Sequence, residues 1–323
     1  MRAAIFDQYG APEVVHLEDI AKPFVGAGEI RVKTIASTVS AGDWRIRSLS
    51  VPAGFGPLLR LAFGIFKPRI QILGSELVGE VCDVGEGVTR FQPGDLVVGY
   101  PGASLRCHAE YRVFKESDTL IRKPERLTME EAAAMSFGGI TAYDFLVNKG
   151  KLKAGEKVLI IGASGSVGSS AVQIAKNLGA EVTAVCSSAN ETLVRELGAE
   201  QVLAYDQQDP MACGQQFDLV LDCIGQHPLK ALRGVMAPEG RALLVVVGLC
   251  SHISAPLYSQ LVSQTFSAGV SSEAQKDLEA LAQLVEAGAY RPLVDRVMPL
   301  SEIVEAHRYV DTGRKRGSLV IRM

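Results

Sequence analysis

No Cys-x-x-Cys pair occurs in this sequence, although it holds six cysteines (Cys82, Cys107, Cys186, Cys213, Cys223 and Cys250). In a chain of 323 residues, thiols scattered in this way read as buried and reduced, not as a disulfide framework. Long apolar runs are missing too. The longest, Ala242 to Cys250, is too short to span a bilayer. Neither sign of charge dominates: 33 Lys and Arg face 36 Asp and Glu, for a net charge of -3. That balance argues against nucleic acid or an anionic membrane as the main partner. The start, MRAAIFDQYG, lacks a basic-then-apolar signal, so a cytoplasmic location is expected. Internal repeats and low-complexity tracts are not visible. What remains is ordinary globular composition, 47% hydrophobic and 21% charged, over a length that favours two domains.

The most informative stretch runs from Lys157 to Asp206. An apolar run, Val158 to Ile161, leads straight into Gly162-Ala163-Ser164-Gly165-Ser166-Val167-Gly168. A helical pattern ending at Gly179 follows, then a second apolar strand from Val182 to Cys186. This is a βαβ unit with a glycine-rich first turn. Such a turn lets backbone approach a pyrophosphate and aims a helix N-terminus at its charge. NAD-binding versions close the second strand with an acid that holds the ribose 2′-hydroxyl. Here that place reads Cys186-Ser187-Ser188, and Glu181 opens the strand instead of closing it. With no carboxylate to repel it, a 2′-phosphate can rest on hydroxyls, an amide and helix N–H groups, so NADPH is expected. No Lys or Arg lies between Val182 and Val194 to pair with that phosphate. Ser188 and Glu191 also have the spacing of a capping box for the helix ending at Gly198.

Before this unit, Arg2 to about Lys123 reads as short strands broken by Gly and Pro, a β-rich, barrel-like unit. The insert Val51 to Ile72 is apolar and aromatic for a loop. It fits either the lining of a hydrophobic pocket or a packing contact. Thr128-Met-Glu-Glu131 is a capping box opening an Ala-rich helix, with Gly138-Gly139-Ile140-Thr141 expected to interrupt before a second helix. Beyond Cys186, strands Val202–Ala204, Leu219–Asp222 and Ala242–Val247 alternate with helices, so a parallel, doubly wound sheet is expected. Ligands of such sheets lie at the carboxyl ends of the strands. Asp222-Cys223-Ile224-Gly225 and Val247-Gly248 occupy those ends and are candidate cofactor contacts. A capped helix from Ser272 to Gly288 and a last strand, Ser318 to Arg322, complete the chain. A strand so late can return to the N-terminal unit.

The pieces GASGSVG, IAKNLGA, ELGAEQVLAY and PLSEIVEAHRYVDTGRKRGSLVI, in this order, resemble the medium-chain dehydrogenase/reductase superfamily. Within it they are similar to the zinc-independent quinone oxidoreductase and alkenal/enone reductase branch. The resemblance runs end to end. It implies an α/β fold: a GroES-like β-rich catalytic domain from both chain ends (1–122 and 272–323) and a Rossmann doubly wound parallel sheet (123–271), assembled as a homodimer. Zinc members of the superfamily carry a Cys after the third strand and a Gly-His-Glu. This chain has Ser37-Thr-Val-Ser40 and Gly74-Ser75-Glu76, so no metal is expected. Cys107 and His108 are adjacent, and strand neighbours face opposite ways, so they would not chelate one ion.

By the same resemblance, Ser40 in Ser40-Ala-Gly-Asp43-Trp44-Arg45 and Thr141 lie beside the nicotinamide. Ser164, Gly165, Ser166 and Val167 meet the pyrophosphate, and Ser187, Ser188, Asn190 and Tyr205 the 2′-phosphate. Val247 and Gly248 meet the carboxamide, and Arg316, among Arg314-Lys315-Arg316, is the basic residue reaching the cofactor. Asp43 and Arg47 are expected to pair and anchor their loop. Arg45, Tyr100 and His108 are the candidate catalytic groups.

Without a Lewis acid, reduction of an activated double bond is the chemistry that fits. It needs orientation, hydrogen-bond donors for the carbonyl oxygen, and a dry pocket. The substrate is then a small hydrophobic carbonyl or quinone. Two other readings stay open: an NADPH-binding protein without efficient catalysis, and an enoyl-thioester reductase. The second would want a Tyr donor near Trp44, and no Tyr stands in that loop.

Overall fold

The computed structural model describes residues 1–323. The chain divides into two compact units. Met1–Val51, Gly56–Phe137 and Glu273–Met323 form the first, and Pro52–Phe55 with Gly138–Ser272 the second. Residues 123 to 137 therefore fall with the first unit.

In chain order the first unit begins with β1 (Arg2–Phe6), β2 (Val15–Asp19), β3 (Glu29–Val39), α1 (Ala41–Ser48) and α2 (Gly56–Phe63). It continues with β4 (Leu77–Val84), β5 (Leu96–Gly99), β6 (Tyr111–Lys115), β7 (Leu120–Arg122) and α3 (Met129–Ala133). Helix α4 (Ser136–Tyr143) crosses the boundary. The second unit then runs β8 (Lys157–Ile161), α5 (Ser166–Asn177), β9 (Glu181–Cys186), α6 (Glu191–Glu196) and β10 (Gln201–Ala204). It ends with β11 (Phe217–Asp222), α7 (Leu229–Gly234), β12 (Met236–Leu244), α8 (Leu249–Ser259) and β13 (Thr265–Ala268). The chain returns to the first unit through α9 (Gln275–Glu286), β14 (Val294–Pro299), α10 (Ile303–Asp311) and β15 (Ser318–Arg322).

The first unit is a sheet in the order β14-β15-β3-β4-β5-β7, with β6 also paired to β3, beside the small β1-β2 pair. β3 shows why: Ile30, Val32, Thr34 and Ala36 alternate inward along an eleven-residue strand. The last strand closes the sheet. β15 pairs antiparallel with β3, Leu319 opposite Val39, so this unit needs both ends of the chain. Ile30, Val32, Leu77, Val97 and Phe114 pack one core, each fully buried. Burial of such a side chain contributes roughly 1.5–3 kcal/mol.

The second unit has the order β10-β9-β8-β11-β12-β13, every pairing parallel. Residues Val158 to Ile161 are buried, as a central parallel strand demands. The strand order reverses between β8 and β11, which is where doubly wound sheets open a crevice for ligand.

Four local expectations need correction. The glycines at 138 and 139 do not break a helix but lie inside α4; a Cβ on Gly138 would meet the Ser166 carbonyl at 2.5 Å, so glycine there serves close packing. α9 begins at Gln275 with Ala274, which has no capping side chain, at its N-cap; Ser272 N–H donates to Asp144, and the Glu273 carboxylate accepts Ala103 N–H. The Ser188–Glu191 box does not form: Ser188 opens a short 3-10 turn, α6 has Asn190 at its N-cap, and the Ser188 hydroxyl donates to Asp206. The six cysteines are free, but only Cys107 and Cys186 are buried and Cys250 is exposed. By contrast, the Thr128–Glu131 capping box is present in full.

Candidate active site

In the second unit the elbow after β8 is built by three glycines with different duties. Gly162 has a φ of 83°, and a Cβ there would meet Ile224 Cδ1 at 2.6 Å. Only glycine makes that turn without strain. On Gly168 a Cβ would press to 2.1 Å from the Gly162 carbonyl, so this glycine lets α5 pack on its strand. Gly165 differs. Its φ is -78°, and the nearest atom to an added Cβ is 3.5 Å away. It is also the N-cap of α5 and offers no side-chain acceptor to the first-turn amides. Open space at the N-terminus of a helix is what a pyrophosphate needs, so the residues fit a dinucleotide.

Around this elbow the sequence-chosen residues gather at the carboxyl ends of β8 to β12. Asn190 Nδ2 donates to Ser164 Oγ (3.1 Å) and Ser187 Oγ (3.2 Å), tying the two turns together. Ile224 (44% exposed) covers Gly162, and Tyr205 is 61% exposed. Gly248 caps α8, and Leu249 N–H reaches the Ala53 carbonyl, which ties the Pro52–Phe55 segment to this unit. Thr141 and Ser166 are buried in α4 and at the start of α5; the Thr141 hydroxyl lies 3.4 Å from Ser271 Oγ. Asp222 Oδ1 accepts the Ile224 and Gly225 amides, which shapes the end of β11.

Sequence reasoning missed Asp206. Its carboxylate accepts Ser188 N–H at 2.9 Å and Ser188 Oγ–H at 2.7 Å. The signal was available: neighbouring parallel strands end side by side, and Asp206 follows the end of β10 as Ser188 follows the end of β9.

In the first unit a buried polar group surrounds Glu76. Thr38 Oγ1 donates to Glu76 Oε1 (2.5 Å), and the Ser136 and Phe137 amides donate to Oε2 (2.9 and 2.7 Å). Complete burial pushes this carboxyl up to about 7 against those three donors. Ser40 is the N-cap of α1 in a reciprocal box with Asp43, whose other oxygen accepts Gly74 N–H. The expected Asp43–Arg47 pair is therefore not made; Arg47 turns to Asp311 and the Gly10 carbonyl. His108 is fully buried with Nε2 at 2.8 Å from the Thr38 carbonyl and its ring edge-on to His307. Tyr100 is 5% exposed. Arg45 is half-buried over the Trp44 ring, and burial lowers its guanidinium. Arg316 is exposed and engages Asp295 through its N–H and guanidinium, whereas burial pushes half-buried Lys315 down to about 8.

The residues do not fit zinc. The Ser37 hydroxyl donates to the Glu76 carbonyl, Ser75 presents only a buried hydroxyl, and no group of three His, Cys, Asp or Glu side chains converges. No helix is long and apolar enough to cross a membrane.

Comparison with known proteins identifies the family. The family described as "Alcohol dehydrogenase GroES-like domain" matches residues 26–143, and "Zinc-binding dehydrogenase" matches 197–321. A quinone oxidoreductase from Pseudomonas aeruginosa is 30% identical over 98% of this chain and 98% of its own. The mitochondrial NAD(P)H oxidoreductase RTN4IP1 of Danio rerio is 30% identical over 99% of this chain and 91% of its own. The solved quinone oxidoreductase of Coxiella burnetii superimposes with a TM-score of 0.88 at 28% identity, covering 100% and 99% of the two chains.

Proposed function

The chain belongs to the medium-chain dehydrogenase/reductase superfamily, in its quinone oxidoreductase branch, and on that premise we propose that it is a zinc-independent reductase of quinones or of the C=C bond of α,β-unsaturated carbonyls. The open, uncapped elbow at Gly165 carries this reading, together with a first unit that lacks a zinc donor set. The bound nicotinamide supplies a hydride to the activated carbon.

The chain's own part is to hold and to polarise. Gly162 to Val167 seats the pyrophosphate, with Thr141, Val247 and Gly248 at the nicotinamide end. Ser187, Ser188, Asn190 and Tyr205 surround the adenosine ribose. As charge develops on the substrate oxygen, a hydrogen-bond donor must meet it. Of the three catalytic candidates we assign this to Arg45, because His108 Nε2 is turned to a backbone carbonyl. Water then provides the proton. A buried Glu76 positions Thr38 and the start of α4. For the homodimer we assign the edge strand β13, beside exposed Leu261 and Val270, to a second copy; light scattering tests it.

Loss of reduced-nicotinamide absorbance with a panel of quinones, alkenals and cyclic enones tests the activity. Turnover on at least one class is expected. Tight nucleotide binding without turnover on any of them would replace this reading with that of a non-catalytic binding protein.

A further inference from the structure

In doubly wound sheets that bind NAD, a carboxylate closing the strand equivalent to β9 receives the ribose 2′-hydroxyl. β9 closes without one. The register of the sheet supplies it from the next strand: Ala204 lies opposite Cys186, and Tyr205 N–H donates to the Cys186 carbonyl at 3.0 Å. Asp206 is thereby set against Ser188, two residues past the end of β9.

We propose that Asp206 is the specificity-determining residue for the adenosine ribose: its carboxylate accepts the 2′-hydroxyl and repels a 2′-phosphate, so that NADH is used at least as well as NADPH. The assignment rests on the reading that the glycine elbow holds a nicotinamide dinucleotide.

Three observations converge on it. Two of the residues that a 2′-phosphate would need have their donors engaged: Ser188 gives both its N–H and its O–H to Asp206, and Asn190 gives its side-chain amide to Ser164 and Ser187. The cations nearest in sequence are occupied as well. Lys176 pairs with Glu200 at 2.6 Å, and Arg195 pairs with Glu191 at 2.9 Å. Finally, Asp206 is exposed, and the two Ser188 donors hold its carboxyl below the usual range, so it is ionised at neutral pH. Each of its oxygens has a lone pair left to accept a ribose hydroxyl. A 2′-phosphate brought to the same place meets a like charge with no cation between them. For exposed charges this repulsion is modest and screened by salt, so the expected discrimination is roughly tenfold, not absolute.

Two binding experiments on the intact protein test this. In the first, 5′-ADP and 2′,5′-ADP compete with fluorescent NADH on the unaltered chain. 5′-ADP is expected to bind at least as tightly, with its advantage shrinking as salt rises. In the second, dissociation constants of NADH and NADPH are measured for the unaltered chain, Asp206→Asn and Asp206→Ser. The ratio is expected to move toward NADPH by about tenfold in both variants. Tighter binding of 2′,5′-ADP by the unaltered chain, or a ratio in the variants within about twofold of the original, overturns the assignment and leaves Asp206 as a loop brace. The competition decides the matter alone if the variants fail to fold. Absence of binding of either dinucleotide to the unaltered chain overturns the elbow as the site, and this assignment with it.

Discussion

Arg47 and Asp311, 264 residues apart in sequence, meet at 2.6 Å through Arg47 Nη2 and both carboxylate oxygens of Asp311. The guanidinium side chain is 0% exposed, and its Nη1 donates to the Gly10 carbonyl. This pair clamps α1 to the end of α10, so the N-terminal and C-terminal segments of the first unit share one buried charge.

Removing the acid strands that charge. Asp311→Asn is expected to destabilise the protein by about 3 kcal/mol, since a buried cation without its partner is strongly unfavourable. Chemical denaturation measures it. A loss under about 1 kcal/mol would mean that the pair contributes no more than a surface bridge does.

Glu76 gives stability a pH dependence whose sign can be worked out. Folded, it keeps its proton to about 7; unfolded, it releases it near its ordinary value of 4.5. Between those values the unfolded chain has lost a proton that the folded chain retains, so stability falls as pH rises through the window and levels off above it. The span corresponds to about 3 kcal/mol. Glu76→Gln should flatten this part of the profile, read as the difference between the two proteins. Identical slopes from pH 5 to 7 would refute the shift.

The three glycines of the elbow should separate folding from binding. Gly165→Asp places a carboxylate in open space at an N-cap, a position that favours Asp, so thermal stability is expected to hold or rise. Dinucleotide binding should nevertheless be abolished by charge repulsion. Gly168→Ala forces a Cβ against backbone at 2.1 Å and should cost about 2 kcal/mol of stability. Calorimetry of both variants, with and without cofactor, checks the pair. Unchanged cofactor affinity in Gly165→Asp would remove the elbow from the site.

Chelation should do nothing. With hydroxyls at Ser37, Ser75 and Ser40 in place of soft ligands, EDTA treatment is expected to leave activity and thermal stability unchanged, and metal analysis should find less than about one-tenth of a zinc per chain. Activity lost on chelation and regained with zinc would overturn the metal-free reading.

The elbow, its strands and the late return of β15 were legible because each is a local pattern: an apolar run, a turn that only glycine makes, a strand alternation. The capping box at Thr128 was legible for the same reason. At Ser188 the local rule failed. Its hydroxyl had a capping partner three residues away, yet it took Asp206, eighteen residues on, because the sheet register set a carboxylate beside it. Asp43 and Arg47, one helical turn apart, likewise each found a distant partner.

From its sequence alone this chain is committed to a glycine-elbowed parallel sheet and a β-rich unit made from both its ends, since hydrophobic period and backbone permissiveness are properties of neighbouring residues. Which polar groups meet inside those units was decided by the tertiary structure. A buried charge or hydroxyl takes whichever partner the packed strands and helices carry to within about 3 Å, and chain separation has no part in that choice.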